Sequence, residues 1–185
     1  MGNEAPTDQP PARASRRPRD LIISLLVLLV PVLLLIGGYQ ILTGRTQPVA
    51  VDPAPAVAEA REAGLPAAGQ PELDEQWVPI SAAFAEPTTG ASGGGTLRIG
   101  YVTPSDGSVQ LIQSTLPADE LLPADLPPEA APAGNREIAG EPWQYYTGAG
   151  GEHALVLLEP ELTIMVVGLG SEAELAELAA ASAPD

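Results

Sequence analysis

The longest uninterrupted apolar stretch runs from Leu21 to Leu42, LIISLLVLLVPVLLLIGGYQIL, and holds no charged side chain. As a helix rising roughly 1.5 Å per residue it reaches about 33 Å, enough to cross a hydrocarbon core of about 30 Å. The stretch predicts a transmembrane helix with a mild kink at Pro31, since a membrane helix tolerates proline where nearby groups satisfy the freed carbonyl. A cleaved signal peptide has a shorter apolar core and a small-residue cleavage site soon after it. The run Leu21 to Ile36 is too long for that and no clear site follows closely, so the segment reads as an uncleaved anchor.

Beyond the anchor the spacing changes. Residues 43–76 read as a juxtamembrane helix and linker: Asp52-Pro53 opens a helix over 53–63, Gly64 closes it, and 64–76 carry Pro, Gly and acids without a period. From 77 to 183 strand patterns dominate and predict a folded extracytoplasmic domain. Trp77 to Ala85 is one strand. Thr96 to Thr103 alternates Leu97, Ile99 and Tyr101 against Arg98, Gly100 and Val102, and Pro104-Ser105-Asp106-Gly107 turns the chain into Ser108 to Thr115. A short helical turn near Pro117 to Leu122 precedes a Pro/Ala-rich loop to Asn135. Strands follow at about 136–139, 142–147, 152–159 and 162–168. Ser171 and Glu174 fit a capping box that opens a last helix, with Leu175 and Leu178 on its apolar face. HALVLLE and LTIMVVG are continuous apolar runs, which places their strands centrally, covered on both faces. The predicted class is α+β, a mainly antiparallel sheet with packed helices after an N-terminal transmembrane helix.

Charge sets the orientation. Arg16, Arg17 and Arg19 precede the anchor and Arg45 alone closely follows it, so the positive-inside rule keeps residues 1–20 in the cytoplasm as a disordered tail and the domain outside the plasma membrane. Ser15-Arg16-Arg17 is similar to the start of a twin-arginine signal, but Arg19 stands where that signal wants an apolar residue. Past residue 42 the chain carries four Arg against 21 acids. Such an acidic surface argues against nucleic acid, whose phosphates reward basic grooves. With no Cys there is no disulfide, thiolate nucleophile or thiolate metal site, and one His builds no multi-His centre within one chain. No cofactor and no metal is expected.

Several strings touch on chemistry. Gly90-Ala91-Ser92-Gly93-Gly94 matches G-x-S-x-G, and Asp125 and His153 follow in α/β-hydrolase order, yet the serine sits in a Gly-rich loop before a strand rather than between strand and helix. Gly168-Leu169-Gly170-Ser171-Glu172-Ala173 matches a dinucleotide fingerprint, but no second parallel strand or ribose-binding acid follows, and a strand exit with a helix cap explains it. The acids of Glu72-Leu73-Asp74-Glu75 and Asp119-Glu120 lack calcium-loop spacing and read as a solvated face. His153 is a strand-edge residue without nitrogen or sulfur partners for a metal. Trp143 and Tyr145 share one strand face, Tyr146 the other. The pair is the candidate partner-binding platform, or else core, where small sheets more often keep aromatics.

Taken together, the Arg-rich tail, the membrane helix, VDPAPAVAEAREAG, WVPISAAF, TLRIGYVTPSDGSVQLIQS, EPWQYYTGAGGEHALVLLEP and the final strand and helix resemble the actinobacterial membrane proteins grouped as domain of unknown function 4245, over about residues 20–180. The resemblance implies a membrane location and an extracytoplasmic domain, and it brings no catalytic or binding residue. The order of elements is similar, by pattern alone, to sandwiches of the Mog1/PsbP type. Two functions are carried forward. One is a non-catalytic binding or assembly module of the cell envelope, acting on an envelope protein partner. The other is an envelope hydrolase using Ser92 and His153.

Overall fold

Side chains that alternate along each strand divide the apolar residues of this chain between the two faces of one sheet. The computed structural model describes residues 28–32, 48–86 and 95–184, and two compact units are formed by Met1–Gln47 and Pro48–Asp185. In the first unit residues 28–32 are helical; the remainder of the predicted anchor, and Arg16, Arg17 and Arg19, lie outside the described residues. Among the described residues no helix is long and apolar enough to cross a membrane.

The second unit holds a seven-stranded antiparallel sheet in the order β1-β2-β3-β7-β6-β5-β4. Its strands are β1 (Val78–Ala85), β2 (Thr96–Val102), β3 (Ser108–Ser114), β4 (Ala131–Ile138), β5 (Glu141–Thr147), β6 (His153–Leu158) and β7 (Thr163–Gly168). Its helices are α1 (Ala54–Glu62), α2 (Ala118–Asp125) and α3 (Glu172–Ser182). Two meanders, β1 to β3 and β4 to β7, meet where β3 pairs with β7, from Val109 opposite Gly168 to Ser114 opposite Thr163. The class is α+β, and the continuous apolar runs are β6 and β7, both interior in the sheet.

The first face carries the larger core. Leu97, Ile99 and Tyr101 of β2 join Leu111 of β3, Leu155 of β6 and Val166 of β7 under α1 and α3, which supply Val57 and Ala60, Leu175 and Leu178. On the second face α2 lays Leu121 over Ile112, Val156 and Met165. Met165 and Val156 sit opposite one another across the β6–β7 ladder while their sequence neighbours point to the first face, which is why those strands are apolar at every position.

Local chemistry accounts for the boundaries. Asp52 Oδ1 accepts the Ala54 N–H at 3.0 Å, and Gly64 leaves α1 at φ +82. The β2–β3 turn closes with the Thr103 N–H donating to the Gly107 carbonyl at 2.9 Å, with Asp106 at φ +62. The capping box of α3 is formed: Ser171 Oγ accepts the Glu174 N–H at 3.3 Å and Glu174 Oε2 accepts the Ser171 N–H at 2.8 Å.

Three expectations change. The stretch 131–135, expected as loop, begins β4: Pro132 is accommodated because β4 is an edge strand, with the register irregular between Pro132 and Asn135. Helix α2 continues through Pro123 to Asp125, past the expected stop near Leu122; the Leu126 N–H still donates to the Leu122 carbonyl, so the turn after the proline is closed. Residues 48–76, expected as a helix and linker ahead of a domain starting at 77, belong to the folded unit, because Ala60, Leu65 and Ala68 are buried in its first-face core. A truncation separates the two boundaries. A protein starting at residue 48 is expected to keep a cooperative thermal transition, and one starting at 77 to lose it or to expose the core to a hydrophobic dye.

Candidate functional site

Helix α2 shields only one half of the second face. The next row of side chains on that face runs Ser81, Gly100, Gln110, Val167 from β1 to β7, as the pairings Ser81–Gly100, Gly100–Gln110 and Gln110–Val167 require. No described helix lies over it, and a groove of about 330 Å³ opens there. Its floor is low at Gly100, where a Cβ would come 2.5 Å from Ser81 Oγ. Ile80, displaced by the irregular register between Pro79 and Ser81, forms one wall. Leu169, 54 % exposed, stands at the other with Glu152 beside it. The groove thus combines apolar walls with the hydroxyls of Ser81 and Ser108, the Gln110 amide and a single carboxylate, Glu152.

Of these lining residues the sequence pattern had drawn attention only to Gly168 and Leu169, within the fingerprint-like string, and to none as part of a groove. The available signal was Leu169, a large apolar residue between Gly168 and Gly170 just past a strand. The two glycines have steric causes: Gly168 has φ +151 and a Cβ there would run into the Ser108 carbonyl, while a Cβ on Gly170 would lie 2.8 Å from Val109 Cγ1 and 2.9 Å from Leu175 Cδ1. Close packing of strand exit and helix therefore explains the fingerprint-like string.

The aromatic platform is corrected. Trp143 is 0 % exposed and Tyr145 5 %, both in the first-face core, so neither offers a docking surface. The strand alternation that put them together also turned them toward α3. At this end Arg136 of β4 lies 4.4 Å over the Tyr145 ring and binds Glu172 of α3 at 2.6 Å, fastening the edge strand to the helix. Burial pushes the Tyr145 hydroxyl above the ordinary phenol range, with the Glu172 charge adding to the rise and Arg136 opposing it. It stays protonated and is 2.9 Å from His153 Nδ1, over whose ring it stacks.

That pairing bears on the hydrolase reading. His153 projects to the first face with Tyr145 and Leu155, whereas Asp125 sits on α2 over the second face, bound to Arg98 at 2.9 Å. The sheet separates them, so the Asp–His pair of a hydrolase triad is not assembled. Ser92 lies outside the described residues. Glu72, Asp74 and Glu75 are exposed, and among the described residues no group of three or more His, Asp or Glu side chains converges as a metal site would.

One carboxylate does converge with partners. Glu174 is buried, and its Oε1 accepts both the N–H and the hydroxyl of Ser105, at 3.0 and 2.7 Å, while Oε2 holds Ser171. It ties the β2–β3 turn to the start of α3, directly behind Leu169.

The family described as "Protein of unknown function (DUF4245)" matches residues 13–182. No curated protein and no solved structure matches the chain.

Glu174 generates a pH prediction. Burial opposes its charge, but the Ser171 N–H together with the Ser105, Thr103 and Ser171 hydroxyls outweighs it and lowers the pKa from 4.5 to about 2. A depressed folded-state pKa stabilises the fold fully above the unfolded value, and the stabilisation is lost as pH falls through the folded one. Glu174→Gln is therefore expected to melt below the wild type at pH 7. The gap should close between about pH 4.5 and pH 2, as followed by circular dichroism melts.

Proposed function

Given that the chain belongs to the DUF4245 family, which brings no reaction with it, we propose that it is a membrane-anchored extracytoplasmic binding or assembly module of the cell envelope. The observation that carries this reading is the groove on the open half of the second face, with Leu169 exposed at its wall. An exposed leucine beside half-buried Ile80 and Val167 marks apolar area that a partner would remove from water. The separation of Asp125 from His153 weighs against the hydrolase alternative, and the module needs no cofactor. The anchor Leu21–Leu42 and the arginines before it support a plasma-membrane location with the N-terminus inside. Helices on both faces of an antiparallel sheet also support the likeness to Mog1/PsbP-type sandwiches, an analogy of pattern from which no activity follows.

Both halves of the proposal are testable in cells. The native chain has no cysteine, so a single introduced one reports its own side of the membrane. Glu129→Cys should react with an impermeant maleimide in intact cells, and Thr7→Cys only after permeabilisation; the reverse pattern would overturn the topology. Val167→Glu and Leu169→Glu place charge in the groove. They are expected to reduce crosslinking to an envelope partner several-fold while the melting temperature of Leu169→Glu, at an exposed position, stays within a few degrees. Undiminished crosslinking in both variants would remove the groove as the binding site.

A further inference from the structure

The groove is walled on one side by β1, the outermost strand of the sheet, so the main-chain edge of β1 and the groove are continuous. Among the described residues one main-chain bond reaches that edge from outside the sheet: the Val51 N–H donates to the Pro79 carbonyl at 2.8 Å. The chain itself thus runs alongside the first part of β1, where Pro79 and the irregular register already limit pairing. Among the described residues no main-chain bond reaches the edge from Ser81 to Ala85. Ser81, Ala83 and Ala85 are small, uncharged and exposed, and they leave room beside the backbone.

The opposite edge differs. There β4 carries Pro132, an irregular register to Asn135, and the charged pair Arg136 and Glu137, features that discourage strand addition. Charge then selects the occupant of the β1 edge. Residues 48–185 hold three arginines against 21 acids. All three arginines are engaged within the unit: Arg61 on the Ala68 carbonyl, Arg98 on Asp125, Arg136 on Glu172. Glu86 follows the last residue of β1 and Glu152 lines the groove. A second copy would bring like charge to this edge, and a basic segment would bring the complement.

Resting on the binding-module reading, we propose that β1 accepts an extended, basic segment of another protein as an added strand along Ser81–Ala85. Main-chain hydrogen bonds supply affinity, and an inward side chain at the groove supplies selection.

The test uses the full chain in phosphatidylcholine nanodiscs and random peptides displayed on phage. Recovered binders should contain Lys or Arg among alternating β-branched residues, and they should slow amide exchange between Ser81 and Ala85. N-methylation of alternate amides in the peptide, which leaves this protein unaltered, should weaken binding about ten-fold or more. Binders that tolerate N-methylation, that are acidic or that protect other strands overturn the proposal, as do an empty selection and self-association through β1. Val167→Glu distinguishes the two levels. Binders expelled by it without any effect on β1 exchange leave the groove standing and remove strand addition. Binders indifferent to it that also leave β1 unprotected remove both.

Discussion

The β3–β7 ladder is the contact on which the remainder of the second unit rests. It joins a three-stranded and a four-stranded meander whose paired residues, Val109 and Gly168 at one end, lie far apart in the chain. Closing so long a loop costs entropy before any burial offsets it. What offsets it is the placement of the most apolar strands at the junction: β6 and β7 bury Leu155, Val156, Leu157, Ile164, Met165 and Val166, and β3 adds Leu111 and Ile112. The approach of Gly168 to the Ser108 backbone then fixes the register at the top of the ladder, because no side chain fits there.

From that junction the helices follow unevenly. Helices α1 and α3 cover the first face, while α2 covers only half of the second, and Glu174 locks the start of α3 against the β2–β3 turn. The groove is the consequence of this inequality: a row of small and polar side chains, Ser81, Gly100 and Gln110, where an apolar row would have been costly to leave in water. Meanwhile Arg61, Arg98 and Arg136 are all engaged in internal contacts. The surface that remains is acidic and interrupted by a few exposed apolar residues, Leu158 and Leu169 among them in this unit. An acidic surface of this kind attracts positive charge and repels negative charge.

Much of this was legible along the chain. Period-two alternation marked β2 and β3 to within a residue, the Asp106-Gly107 turn joined them, and Ser171 with Glu174 announced the cap of α3. These features are local: each depends on residues a few positions apart, and so on backbone sterics and short-range hydrogen bonds. The start of β4 at Ala131 was hidden because Ala, Pro and Gly carry no strand pattern of their own. It forms there because β5 presents a ladder for it. Likewise 64–76 read as a connection, since Leu65 and Ala68 show their purpose only against the sheet.

The chemistry divided in the same way. That Trp143 and Tyr145 share a face followed from alternation, but which face is buried was decided by where α3 comes to rest, a long-range packing outcome. That Asp125 and His153 follow one another in hydrolase order is a fact of sequence; that a sheet stands between them is a fact of topology. Sequence by itself determined the class of the fold, the uncharged apolar run from Leu21 to Leu42, the acidity and the absence of thiol chemistry, because composition and periodicity are properties of the chain alone. Tertiary structure decided the groove, the place of β1 at the end of the sheet and the engagement of every arginine in the unit, because each depends on which of two faces a neighbour covers and on groups brought together from distant parts of the chain.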